Sequence, residues 1–264
     1  LGDDRETPQR TLVGGSLFMP GRVGSQSGVK VVSVVPGSPS GIVAVFGTDG
    51  APLGVVDGPA LTAIRTGAGC GLATDLLAPA DASVMGMLGA GAMAADQVAA
   101  VRAVRPIEQV LVWSRSIEHA EALAAQLTGA TAVERADEAV AAADIVTTAT
   151  PSRAPLFDAA SVRPGTHLNA VGAFTPEMCE LPAGVVRSSF VVVDDVDAAA
   201  AEAGDLLQAG VAPDATVADL LSGRKQRGDE PTTIFKSVGI ASQDVAAAVA
   251  ALERAGAMGI GTEV

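Results

Sequence analysis

The sequence predicts an α/β fold in which a doubly wound parallel sheet is inserted into a smaller α+β domain. Three observations carry that expectation. Residues 83–115 read SVMGMLGAGAMAADQVAAVRAVRPIEQVLVWSR: a strand, a glycine turn, a helix and a second strand. Apolar β-branched runs then alternate with helix-period segments from residue 82 to about 235. Residues 1–80 and those beyond 237 read differently, as strands separated by turn residues and two Ala-rich helices.

Taken in order, residues 29–35 and 41–46 predict strands, broken by Pro36-Gly37 and by Gly47, and Asp49-Gly50 fits a hairpin turn. A helix rich in Ala, Gly and Thr is expected over 61–77. The strand 84–88 runs into Gly89-Ala90-Gly91-Ala92-Met93-Ala94, a helix follows from Met93 to about Arg105, and a strand spans 109–113. Ala120, Leu123, Ala124 and Leu127 recur at helical spacing within 117–127. A short strand at 130–133 and a short helix at 137–143 come next. Strands are expected at 144–149, ending at Pro151, and at 166–171, ending at Gly172. Residues 190–194 (FVVVD) read as a strand inside a parallel sheet. An exposed loop over 222–228 and a helix over 241–255 complete the chain. The expected division is a discontinuous domain, 1–81 plus 237–264, around an inserted domain, 82–236. No internal repeat is visible.

The glycine turn is chemically specific in this setting. Gly89 permits a tight turn, Gly91 lets the backbone approach a pyrophosphate, and Ala94 lets the helix pack closely on the sheet. The helix N-terminus offers N–H groups and a positive dipole end to phosphates. Gly89, Ala90, Gly91, Ala92 and Met93 are therefore the expected dinucleotide cradle, making this a Rossmann-type domain. A nicotinamide would lie at the carboxyl ends of the strands, where Thr148, Ala149, Thr150, Val171 and Gly172 stand; the competing reading is ordinary strand termini. After the second strand the chain reads Trp113-Ser114-Arg115-Ser116, with no carboxylate before Glu118. Arg115 suits a 2′-phosphate and Ser114 can donate to it, so NADP(H) is expected over NAD(H). The alternative is a solvated arginine.

Composition narrows the remaining choices. The chain has 264 residues, 48% hydrophobic and 18% charged, as globular proteins do. A net charge of −13 argues against nucleic-acid binding. No apolar run approaches the ~18 residues of a membrane span. No signal peptide is visible, and because the chain begins at Leu1 a leading segment is expected before it. Cys70 and Cys179 have no metal-ligand spacing and are expected to be reduced and buried in a cytoplasmic protein. His119 is expected on a helix surface, and His167 is expected to be structural. Tyr is absent, so a general acid must be Lys, Ser, Thr, a carboxylate or water.

An anionic ligand needs local cations, and three stand outside any helical charge pattern. They are Arg10, Lys30 within an apolar strand and Arg65 within an apolar helix. Buried cations are costly unless paired. They could meet a substrate carboxylate, or form structural ion pairs with Asp57, Asp75 or Asp81.

The segments TPQRTLV, LFMP, GVKVVSVVP, DGPALTAIRTGAG, GAGAMA, VLVWSRS, TATPSRAPLF, GTHLNAVGAFTPEMCELP, VVVDD and TIFKSVGIASQDVAAA span nearly the whole chain. In them the chain resembles the ornithine cyclodeaminase/mu-crystallin family. The resemblance implies a cofactor domain inserted into a substrate domain that also forms a homodimer. It implies that Arg10, Lys30 and Arg65 bind the substrate carboxylate, Lys30 and Arg65 being the catalytic pair. Leu17 and Phe174 stand where cyclodeaminases carry acids that handle amino groups, so ornithine cyclisation is not expected. Lys236, in IFKSVG, replaces an Asp of the cyclodeaminases. The pattern resembles the branch that reduces Δ1-pyrroline-2-carboxylate and Δ1-piperideine-2-carboxylate to L-proline and L-pipecolate with NAD(P)H. Leu17 and Phe174 would then form an apolar wall against the ring. Lys236 and Ser237 are expected near the cofactor, and a water near Thr66 or Lys236 is one candidate proton source. Three alternatives stay open: a lyase, an open-chain imine or alanine dehydrogenase, and a non-catalytic NADP-binding protein.

Overall fold

In the computed structural model, which describes residues 4–35 and 40–262, an antiparallel sheet opens the chain. Its strands are β1 (Arg5–Glu6), β2 (Thr11–Val13), β3 (Ser16–Val23), β4 (Gln26–Ser33), β5 (Gly41–Phe46) and β6 (Pro52–Asp57). They run in the order β1-β3-β4-β5-β6, with β2 on the free stretch of β3. The Asp49-Gly50 turn joins β5 to β6 as expected, and the break at Pro36-Gly37 lies outside the described residues. The register places Met19, Lys30, Val43 and Val56 side by side on one face. The C-terminal helix, Ala241–Met258, packs on that sheet, where Val43, Val45, Leu61, Val245 and Ala248 make the core. Alternation sends Phe18, Ile42, Phe46 and Val55 to the opposite face, where all four are exposed.

Helix α1 (Gly58–Leu77) begins with Ala60 N donating to Asp57 Oδ1 at 2.8 Å. The chain divides into two units inside this helix: one runs to Arg65 and resumes at Ile240, the other is Thr66–Gly239. The sequence-based division, after residue 81, came later because α1 reads as one continuous element. Its second half belongs with the large unit: Cys70 and Ala73 pack with Val171 and Phe235, and Leu77 packs with Phe190 and Val192.

The large unit is the doubly wound sheet. Its elements are β7 (Val84–Leu88), α2 (Ala94–Arg102), β8 (Gln109–Trp113), α3 (Ile117–Ala124), β9 (Ala130–Ala132), α4 (Ala136–Ala142), β10 (Ile145–Thr148), β11 (His167–Ala170), α5 (Ala183–Arg187), β12 (Ser189–Val193), α6 (Val196–Glu202), α7 (Gly204–Ala209), β13 (Ala215–Thr216), α8 (Val217–Leu221) and β14 (Thr232–Lys236). The C-terminal helix is α9. The strand order is β13-β12-β14-β11-β10-β7-β8-β9, all parallel. The chain winds outward through β7, β8 and β9, then crosses to β10. The switch point therefore lies between β7 and β10, where this fold opens its ligand crevice.

Helix α2 ends at Arg102, three residues before the expected Arg105. Arg105 is recruited elsewhere: its guanidinium donates to the carbonyls of Thr74, Asp75, Ala78 and Pro79, satisfying the end of α1. His167 is structural, as expected. It is fully buried, with Nδ1 2.9 Å from Thr233 Oγ1 and Nε2 3.2 Å from Asn169 Oδ1. Asn169 Nδ2 donates onward to Thr74 Oγ1 at 3.0 Å. Burial pushes the imidazole down to about 3, so it is neutral. Cys70 and Cys179 are both buried, and neither is in a disulfide among the described residues. Among the described residues no helix is long and apolar enough to cross a membrane.

Candidate functional site

Each unit builds one half of the chemistry the sequence suggests. In the large unit, Gly89 leaves β7 at φ +116°, a region that disfavours side chains, and its N–H donates to Trp113 O at 2.8 Å. A Cβ there would stand 2.6 Å from Ala149 O, so the turn needs glycine to close against the end of β10. A cleft of about 220 Å³ opens along this switch point. Gly89, Ala90 and Gly91 line it from the turn, Trp113, Ser114 and Arg115 from the end of β8, and Ala149 and Thr150 from the end of β10. Met93 is the N-cap residue of α2, with no side-chain cap, so the first turn presents backbone N–H groups. A Cβ on Gly91 would meet no protein atom within 4 Å. That glycine is not demanded by internal packing, and the open space beside it fits a dinucleotide pyrophosphate.

At the end of β8, Arg115 is exposed and Ser114 half-buried. Ser116 caps α3, accepting from His119 N at 3.3 Å and donating to Glu118 Oε2 at 2.6 Å. His119 is exposed, as expected, and it also lines the cleft.

The ends of β10 and β11 are tied together by a residue the sequence reading missed. Glu180 is fully buried and accepts five hydrogen bonds. Oε1 takes Thr150 N at 2.7 Å and Thr150 Oγ1 at 2.8 Å. Oε2 takes Thr148 Oγ1 at 2.9 Å, Gly172 N at 2.8 Å and Ala173 N at 3.2 Å. Burial raises the pKa of this carboxyl, while the five donors favour its anion. Glu180 N and Leu181 N in turn donate to Asp205 Oδ1 at 2.6 and 2.9 Å. Asp205 Oδ2 pairs with Lys236 Nζ at 2.9 Å, and that ammonium also donates to Ala173 O at 2.5 Å. The only sequence signal was a carboxylate between Cys179 and Leu181 in an apolar run.

This network changes the roles of several expected cofactor residues. The Thr148 hydroxyl is engaged by Glu180, and Lys236 is held by Asp205 and Ala173 rather than lining the cleft. Ser237 Oγ donates to Asp194 Oδ2 at 2.7 Å. Val171 is buried beside Cys70 and Phe235, Thr66 is buried on α1, and Phe174 is 47% exposed.

In the small unit, Lys30 and Arg65 converge on one carboxylate. Lys30 Nζ lies 3.2 Å and Arg65 Nε 3.0 Å from Asp244 Oδ1. Lys30 also donates to Thr62 Oγ1 at 2.6 Å, and Arg65 to Gln243 Oε1 at 3.2 Å. All three charged side chains are buried. The ion pairs weighed as the alternative to a ligand role do form, but not with Asp57, Asp75 or Asp81. Asp57 accepts from the N-terminus of α1, Asp75 pairs with Arg105 at 2.8 Å, and the carboxylate that meets Lys30 and Arg65 is Asp244. Burial first, then the charges of Arg65 and Arg10, push the Lys30 ammonium down to about 8, with Asp244 opposing. Arg10 is thus within electrostatic reach of Lys30. Two buried cations share one anion, which leaves a positive excess suited to a ligand carboxylate. Leu17 is half-buried one pleat along from Met19, the cross-strand partner of Lys30, on the same face.

Comparison with known proteins places this geometry in context. The profile of the ornithine cyclodeaminase/mu-crystallin family matches residues 11–258. Ketimine reductase mu-crystallin of Mus musculus is 37% identical over 195 residues, 74% of this chain and 62% of that protein, so the match spans about three fifths of that relative's length. Delta(1)-pyrroline-2-carboxylate reductase of Bacillus cereus is 37% identical over 260 residues, 90% of this chain and 80% of that one. The solved structure of Thermococcus litoralis Delta(1)-pyrroline-2-carboxylate reductase, in complex with NADH and L-proline, superposes with a TM-score of 0.92 at 33% identity. It covers 99% of this chain and 90% of that chain.

Proposed function

The chain belongs to the ornithine cyclodeaminase/mu-crystallin family, and from that membership we propose that it is an NAD(P)H-dependent imine reductase acting on small cyclic imine acids. Its substrates are Δ1-pyrroline-2-carboxylate and Δ1-piperideine-2-carboxylate, and its products L-proline and L-pipecolate. The observation that carries this reading is the buried pair Lys30 and Arg65 sharing Asp244. A cyclic imine acid offers one carboxylate to such a pair, and otherwise mostly carbon to Leu17 on the same sheet face. A diamino acid would bring a second ammonium to that apolar side chain, at several kcal/mol without a partner.

Lys30 and Arg65, with Arg10, hold the substrate carboxylate and so fix the orientation of the C=N bond, which makes reduction effectively unimolecular. The turn from Gly89 to Met93 holds the coenzyme pyrophosphate, and Ala149, Thr150, Val171 and Gly172 form the bed for its nicotinamide. The reduced coenzyme supplies the hydride when bound. Ser114 and Arg115 favour the 2′-phosphate of NADP(H). The imine nitrogen takes its proton in solution or from a water held at Thr66, since Lys236 is engaged by Asp205. Two buried cysteines outside any disulfide, Cys70 and Cys179, suit a reducing, cytoplasmic compartment.

A spectrophotometric assay tests this directly. NADPH oxidation is expected with both the five- and six-membered imine acids. Ammonia release from ornithine without net coenzyme change would instead establish a lyase. Faster turnover of pyruvate with methylamine would establish an open-chain imine reductase, and tight NADPH binding without any turnover a binding protein.

The sheet face carrying Phe18, Ile42, Phe46 and Val55 supports a homodimer, because it offers a second copy four exposed apolar side chains to bury. The double variant Ile42→Asp/Val55→Asp is expected to elute as a monomer in size-exclusion chromatography with light scattering. Retention of the wild-type mass would reject this face as the interface.

A further inference from the structure

Resting on the coenzyme reading above, we propose that the buried carboxylate of Glu180 sets the redox balance of the bound coenzyme, favouring its oxidised, cationic ring over its reduced, neutral one. Glu180 has no exposed surface and does not line the cleft. It lies directly against the backbone of the bed assigned to the nicotinamide, accepting from Thr150 N at 2.7 Å and Gly172 N at 2.8 Å. It acts on a bound ring by charge and not by contact.

The surroundings leave that charge uncompensated. Each carboxylate oxygen accepts from at least one backbone N–H, a group that can only donate, so a proton on either oxygen would displace a bond. Among the described residues no cation lies within ion-pair distance of Glu180. Asp205 and Lys236, the charged groups that act on it, meet each other at 2.9 Å and largely cancel. One negative charge is left over beside the bed. When the iminium carbon accepts a hydride with its electron pair from the reduced ring, a C–H bond forms and the C=N bond becomes single. The substrate nitrogen becomes a neutral amine, and the ring, oxidised by two electrons, keeps one positive charge. The positive charge thus passes from substrate to ring. A fixed anion in a site closed to water favours that transfer and needs no rearrangement while it happens.

The chain supplies its own reporter. Trp113, its single tryptophan, lines the cleft, so its emission follows coenzyme binding without turnover. The full chain is titrated with NADPH and NADP+, and with NADH and NAD+. Within each couple, the ratio of dissociation constants isolates the ring charge, because the rest of the molecule is common to both forms. Glu180→Gln is expected to weaken the oxidised form about tenfold more than the reduced one. For a two-electron couple, that raises the potential of the bound coenzyme by about 30 mV. Lys236→Met removes the cation that cancels Asp205, so it is expected to move the ratio the other way, towards the oxidised form. Should Glu180→Gln not fold, as circular dichroism would show, the methionine variant decides alone. Equal losses for both forms in Glu180→Gln would leave Glu180 a purely structural brace and overturn the proposal. A Lys236→Met ratio that is unchanged, or shifted towards the reduced form, overturns it as well. Failure of both couples to bind the wild type would instead refute the coenzyme reading itself.

Discussion

Replacing Lys30 with methionine is expected to lower kcat/KM for the cyclic imine acids by about a hundredfold to a thousandfold, while leaving the fold intact or more stable. Methionine keeps most of the aliphatic length and removes the ammonium. Asp244 is not orphaned, because Arg65 Nε still meets it at 3.0 Å. What disappears is the excess positive charge that a substrate carboxylate would use. The two effects have opposite signs because Lys30 is held against its own preference. Its ammonium lies at about 8 instead of the ordinary 10.5, mainly through burial. Keeping it charged at neutral pH thus costs the folded state roughly 3 kcal/mol. The unfolded chain binds more protons than the folded one between pH 8 and 10.5. Wild-type stability should therefore gain across that window, and the methionine variant should lack this gain. Ligand binding runs the other way. Furan-2-carboxylate has the ring and the carboxylate but no titrating nitrogen. Its affinity for the wild type should fall as pH rises through about 8, whereas the variant should bind weakly at every pH. Chemical denaturation and calorimetric titration across pH 7 to 10.5 check both expectations. Near-normal kinetics in the variant would remove Lys30 from the site.

The parts of this molecule legible in the sequence are those whose cause is local. The glycine turn could be read because Gly89, Gly91 and Ala94 act within one strand–helix step, and the buried strands because β10 is β-branched throughout and β12 carries the apolar run Phe190 to Val193. Strand β3 could not be read, since Pro20-Gly21 in its middle mimics a turn. Helices α5 to α8, of five to seven residues, are too short to show a period. The cations of the small unit were visible as charges in apolar company, but their partner was not. Asp244 lies 179 residues from Arg65, in the first turn of α9, where an acidic residue passes for an ordinary helix start. Glu180 escaped for a related reason. Its five donors are three backbone N–H groups and two threonine hydroxyls from two strand ends, and such donors leave no charge pattern to find.

The second large effect is expected at Gly172, where alanine should damage fold and coenzyme binding together. An added Cβ would overlap Thr150 N and O and come within 2.5 Å of Glu180 Oε1. None of these is the yielding tip of a flexible side chain. Two are backbone atoms at the end of β10, and the third belongs to a carboxylate fixed by five hydrogen bonds. Room for the methyl can come only from parting the ends of β10 and β11, which breaks bonds to Glu180. Overpacking of about 1–3 kcal/mol and each lost bond to a buried charge of about 1.5–3 kcal/mol add to at least about 3 kcal/mol. For a chain of this size that is a fall in Tm of roughly 6–12 °C. Ala149 and Thr150 line the cleft, so NADPH affinity should fall at least tenfold as well. Gly91→Ala supplies the contrast. Its Cβ meets no protein atom within 4 Å, so Tm should stay within about 1–2 °C of wild type. Coenzyme affinity should nevertheless drop, because the methyl occupies the space assigned to the pyrophosphate. Thermal unfolding and NADPH titration of the two variants separate a glycine needed by the protein from one needed by its ligand. A Gly91→Ala variant that binds NADPH like the wild type would refute the pyrophosphate assignment. A Gly172→Ala variant with unchanged Tm would show that Glu180 does not hold the two strand ends rigidly.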